Sequence, residues 1–208
     1  MSLADLSQAT DNVHNIVYFP FHGLAGCIRT ILILSDEPHK FTNLGFPVLE
    51  LAEISAIEHF LAKRGNLLGK DYWEENLIKM YLSSTHALFT FLVHNVVQSP
   101  KEDRPAFLER FKKSNLPEWI KFHEKHLKEN GSNGHYVGDQ LSIADIKTAS
   151  VIDHLINLCG EDVHISEELT PAIMAVKNNL EKNPKYAEWR ASEQYQKFTT
   201  SNAGFFGF

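Results

Sequence analysis

At 208 residues the chain is long enough for one large domain or two small ones, with a core of ordinary size. Apolar content of 43% and charged content of 22% are those of a soluble globular protein. The net charge of −6, with no cluster of Lys or Arg above the background, argues against nucleic acid as the main partner. Met1–Asn12 is polar, with Asp5 and Asp11 in it, so no secretory leader is expected, and no apolar run approaches a membrane span. Cys27 and Cys159 form no CxxC and suit a reducing compartment, so the expected location is cytoplasmic. Asn130-Gly131-Ser132 fits a glycosylation sequon but reads better as a turn.

In chain order, Asn15–Phe19 is a short apolar strand, followed by Pro20-Phe21-His22-Gly23. Leu24–Ser35 reads as a helix that stops at Asp36-Glu37-Pro38, because the residue before a proline is pushed off helical geometry. Phe46–Leu51 is a second strand candidate. Ser55 and Glu58 have the spacing of a capping box, opening a helix that runs to Arg64 and ends at Gly65. From Asp71 onward only helices are expected: Trp73–Val97, Pro105–Glu129 with a break or kink at Pro117, a helix after Ser142, Pro171–Lys182 and Pro184–Gln196. Phe198–Phe208 reads as a tail whose FFGF end is too apolar to be simply solvated. The boundary between the α/β unit and the helices falls in Gly65–Lys70.

The most telling stretch is Ser142-Ile143-Ala144-Asp145. The Ser142 hydroxyl can accept from the Asp145 amide while the Asp145 carboxylate reaches back to the Ser142 amide, and Leu141 with Ile146 can close a hydrophobic staple. The helix that follows is apolar on most of its circumference, so it belongs in the middle of a helical domain. His123 and His126, three apart on one helix face, lack a third ligand nearby, and Glu124 does not complete HExxH. They read as satisfied or solvent-facing residues, and Cys27 as a buried structural thiol. No metal is expected.

The pattern Gly138-Asp139-Gln140-Leu141-Ser142-Ile143-Ala144-Asp145 resembles the C-terminal domain signature of the glutathione transferase family. Tyr18-Phe19, Gly23 and Arg29 are similar to the first strand and helix of its sigma-like classes. Phe46-Pro47-Val48-Leu49-Glu50 resembles the strand entered through a cis-proline in thioredoxin-like domains, and Glu53–Lys63 resembles the helix that opens at the γ-glutamyl end of the tripeptide. The resemblance covers nearly the whole chain. It implies a fold of class α/β plus all-α: a truncated thioredoxin-like domain over 1–66, then an all-helical glutathione-transferase domain over 71–208.

Glutathione chemistry needs a thiolate, and a free thiol titrates near ~8.5, so a donor aimed at the sulfur must lower that value. The resemblance gives this role to Tyr18, because a hydrogen bond to the charged form favours that form. It also gives the glutathione-binding positions to Phe46, Pro47, Glu53 and Ser55. Where the family opens this helix with a Gln/Glu-Ser pair, this chain has Glu53-Ile54, with Ser55 one place late. His22 and Leu24 stand where the family often has arginine or another polar residue near the thiol. Asp36–Phe46 is too short for the strand, helix and loop of a full thioredoxin-like unit, so one or two sheet elements should be missing. An equally good alignment makes Val48–Leu51 the last strand, and then Pro47 is not the cis-proline. Two functions follow from the resemblance: conjugation of glutathione, as co-substrate, to small electrophiles with weak activity, or a non-catalytic, crystallin-like role. Both come with a homodimer, weakened or rearranged by the short α/β unit, and with neither nucleic acid nor membrane as partner.

Overall fold

The computed structural model describes residues 13–43 and 54–206. Strand β1, His14–Tyr18, turns His14, Ile16 and Tyr18 inward and Asn15 and Val17 outward, the two-residue alternation of a half-buried strand. It pairs in parallel with β2, His39–Asn43, from His14 opposite His39 to Tyr18 opposite Asn43. A parallel pair needs a crossover, and helix α1, Ala25–Leu34, supplies it. The β2 strand occupies part of the stretch judged too short, and the candidate strand at 46–51 lies outside the described residues.

Helix α2, Ile54–Arg64, packs on α1. The chain then turns at Gly69, whose φ of +83° and close approach to Glu74 leave no room for a Cβ. Helix α3, Tyr72–Leu92, is capped by the Asp71 carboxylate, which accepts from the amides of Trp73 and Glu74, and runs on into a π-helical turn at Val93–Val97. Helices α4, Arg104–Lys113, and α5, Asn115–Glu129, break at Ser114. The break therefore falls three residues before Pro117, which sits in the first turn of α5, where its missing N–H does no harm.

Helix α6, Ile143–Cys159, is the hub: it packs against α1, α3 and α7, Pro171–Glu181, and is buried on most of its circumference. Its capping box is formed as expected, with Ser142 Oγ accepting from the Asp145 amide and Asp145 Oδ2 accepting from the Ser142 amide at 2.7 Å. Asp145 Oδ1 also takes the Tyr136 amide at 2.8 Å, so the carboxylate ties the preceding loop to the helix start. Besides the packing of α1, the linker and α2 also bond to this hub. The Ile143 amide donates to the Leu67 carbonyl at 3.0 Å, and the Lys147 ammonium lies 2.6 Å from Glu58 of α2.

Helix α8 covers Pro184–Ala191, and Ser192 separates it from α9, Glu193–Phe206. The stretch expected to be a tail is thus helical through Phe206. Tyr195 and Phe198 on its buried face pack against Trp189. No helix among the described residues is long and apolar enough to cross a membrane.

Candidate functional site

Tyr18 ends β1 and is 9% exposed, its ring set edge-on to Phe19 and Phe21. The chain leaves it through a tight turn at Gly23, where φ is +42° and an added Cβ would stand 2.8 Å from the Phe21 ring and 3.1 Å from Tyr18 Oη. Glycine is required here on both counts. The turn brings the Leu24 amide over the phenol, and Leu24 N–H donates to Tyr18 Oη at 3.3 Å. Because the oxygen accepts that bond, its own proton is left to donate elsewhere. Burial raises the phenol's pKa, partly offset by the Leu24 amide and the Arg29 charge, so Tyr18 is a neutral donor at physiological pH.

Arg29 holds the turn from below. Its guanidinium is 1% exposed and donates to the carbonyls of Phe21 at 2.8 Å and Phe19 at 3.2 Å. It also lies 4.0 Å from the centre of the Phe198 ring of α9. Burial pulls its pKa down to about 10, leaving the cation charged at neutral pH. Arg29 therefore reaches Tyr18 indirectly, by fixing the loop that delivers the Leu24 amide.

Behind the turn lies a cleft of about 240 Å³, lined in part by His22, Thr30, Asp153, His154, Arg190 and Tyr195. Most of its lining residues carry polar side chains. His22 shares a hydrogen bond with Thr199 Oγ1 at 3.2 Å, and its pKa falls to about 3 through burial and the neighbouring His154.

Comparison with known proteins bears on what such a site is for. Residues 86–193 match the family model described as the C-terminal domain of glutathione S-transferase. The chain is 31% identical to glutathione S-transferase A2 of Bos taurus, over 76% of this chain and 75% of that one. This chain belongs to the glutathione S-transferase family. It is also 26% identical to a glutathione S-transferase of Dirofilaria immitis, across 92% of this chain and 98% of the other. The structure of prostaglandin synthase D of Nilaparvata lugens superposes with a TM-score of 0.74 at 19% identity, covering 86% of this chain and 97% of that one, a likeness of fold.

Of the transferase-site residues expected from the sequence, Tyr18 stands at the turn just described. Phe46, Pro47 and Glu53 lie outside the described residues. Ser55 is exposed on α2, and among the described residues no bond of its expected capping box joins it to Glu58. Ile54 is already helical, so Ser55 is inside α2, and the Glu58 carboxylate points into the core toward Lys147. His123 is fully buried, with Nδ1 2.6 Å from the Tyr136 hydroxyl and Nε2 3.0 Å from Ser84 Oγ, while His126 bonds the Phe122 carbonyl. Cys27 is buried as expected, and burial together with the charge of Glu58 pushes its thiol well above the ordinary range.

Sequence reasoning missed the Leu24 amide and the Lys147–Glu58 pair. A backbone donor leaves no mark in a sequence. A lysine set in the apolar run Ile143–Ile152 does leave one, since a charge on a buried helix needs a partner.

Proposed function

We propose that this protein conjugates the thiolate of glutathione to small electrophiles, with Tyr18 donating its phenolic proton to the sulfur. The observation that carries the reading is the Leu24 amide bonded to Tyr18 Oη, which leaves a neutral, buried phenol whose proton meets no acceptor among the described residues. Around it, the N-terminal end of α2 offers a positive dipole end for the γ-glutamyl carboxylate, with Glu53 for the ligand's amino group and Ser55 beside it. Phe46 and Pro47 supply the backbone for the cysteinyl portion. Glutathione is the co-substrate, and no metal takes part. Turnover is expected to be low, because Leu24 and Ile54 bring no polar side chain to positions where the family often has one.

We read the chain as a glutathione-site unit over 1–66 and a helical domain over 71–208, pairing as a cytoplasmic homodimer. Phe60, Tyr72, Trp73 and Met80 are exposed, and Trp73 and Met80 stand two turns apart on one face of α3, which supports pairing. The second reading, a non-catalytic member of the fold, draws on the tight packing of Tyr18 between Phe19 and Phe21.

Retention on immobilised glutathione, followed by turnover of a dinitrobenzene electrophile, separates the two. Conjugation is expected, and Tyr18→Phe should lower it roughly tenfold or more, since stabilising a thiolate by one pKa unit is about 1.4 kcal/mol. A folded protein that neither binds nor turns over leaves the non-catalytic reading standing.

A further inference from the structure

Glu58 and Lys147 are 0% and 2% exposed, and the Lys147 ammonium lies 2.6 Å from Glu58 Oε1. They come from different parts of the chain: Glu58 from α2 of the α/β part, Lys147 from the hub helix α6. A buried ion pair adds little over well-packed apolar side chains, so its presence points to what it arranges more than to how tightly it binds. Among the described residues the second oxygen of Glu58 meets no nitrogen or oxygen donor, and the Cys27 thiol of α1 faces the same carboxylate. Lys147 is therefore the cation that compensates this buried charge.

The position of Glu58 gives that compensation a consequence. It lies four residues beyond Ile54, about 6 Å along the axis of α2 at 1.5 Å per residue. A bare carboxylate there would repel a second carboxylate held at the N-terminal end of the same helix, by direct charge interaction through the protein interior. At such a distance in a protein interior, one unit charge changes anion affinity by more than tenfold.

We propose that Lys147 is a positioning residue for the anion end of the glutathione site. By neutralising Glu58 it lets the start of α2 attract a carboxylate, and by bridging to α6 it fixes where that start stands. The inference rests on the reading of α2 as the γ-glutamyl helix given above.

The test is steady-state kinetics at mildly alkaline pH with glutathione varied, on the full-length wild type, Lys147→Met, Glu58→Gln and the double variant. Lys147→Met should raise the KM for glutathione roughly tenfold, equivalent to about 1.4 kcal/mol, with kcat near wild type. Glu58→Gln should lower that KM, because it leaves an uncompensated cation behind the helix start, and the double variant should restore it. A purely structural role would move KM and kcat together and in one direction for both single variants. If Lys147→Met does not fold, the opposite shifts expected of Glu58→Gln and the double variant carry the test. A wild type that binds glutathione, with KM unmoved in Glu58→Gln and in any folded Lys147→Met, overturns this inference alone. A wild type that binds no glutathione in calorimetry overturns the functional reading beneath it.

Discussion

Acidification from about pH 7 to about pH 5 should remove roughly 6 kcal/mol of folding stability, about 2 kcal/mol from each of three buried histidines. His22, His123 and His154 have pKa values lowered to about 3, 3 and 4. Burial is the largest cause in each; His126 adds its charge at His123, and Lys147 adds its charge at His154. Their surroundings suit neutral rings. His22 packs 4.3 Å from the Tyr195 ring, His123 stacks on Trp119 at 4.3 Å, and His154 stacks on Phe89 at 4.9 Å. The folded state thus keeps three imidazoles unprotonated that the unfolded chain protonates below about 6.5. The stabilisation is complete above that value and falls with pH, by about 1.4 kcal/mol per pH unit for each histidine, until the folded-state values are reached. A protein in the lower half of the ordinary range of roughly 5–15 kcal/mol is left marginal or unfolded near pH 5. Urea unfolding across this range should show that slope. A free energy of unfolding that stays flat from pH 7 to pH 5 contradicts the assignment of these three as neutral buried groups.

Asp145→Ala is the substitution expected to damage the helical domain most, by roughly 3–5 kcal/mol. The carboxylate is wholly buried and accepts from the Ser142 amide at 2.7 Å, the Ser142 hydroxyl at 2.9 Å and the Tyr136 amide at 2.8 Å. Removing it leaves two buried amides without an acceptor, each a loss of about 1–3 kcal/mol, besides the lost cap. Ser142→Ala should do less, about 2 kcal/mol, because it removes the long 3.4 Å bond from the Asp145 amide and the hydroxyl's 2.9 Å bond to the carboxylate but leaves Asp145 its two amide donors. Denaturant midpoints for the two variants give the ranking directly. Equal losses would mean that the box is valued for the serine cap and not for the carboxylate that ties Tyr136 to the helix.

That box was fully legible in the sequence, since its chemistry is local: a serine, an acid three residues on and an apolar run need nothing distant to form. The order of strand, helix and helical bundle was legible for the same reason. What failed was decided by distant partners. Ser55 and Glu58 have the same spacing as Ser142 and Asp145, but Ile54 and Ser55 are already helical, and Glu58 is claimed by Lys147 from eighty-nine positions away. Strand β2, His39–Asn43, reads as polar in sequence and exists because its backbone completes a parallel pair with β1. Residues 198–206 looked like a tail because the buried stripe of Tyr195 and Phe198 is narrow, and it is Arg29, Phe41 and Trp189 that receive it. At the site, Tyr18 could be picked out from its place at the end of the first strand. The bond that prepares it comes from a backbone amide that no side-chain pattern announces.

The role of the Tyr18 phenol is tested most directly by titrating the thiol of glutathione bound to the protein, followed by the ultraviolet absorbance of the thiolate. With wild-type protein the sulfur should ionise roughly one to two pH units below the ~8.5 of a free thiol, and Tyr18→Phe should return it toward that value. Bound glutathione that titrates alike in both proteins, at the free-thiol value, would contradict the assignment of Tyr18 as the group that holds the thiolate.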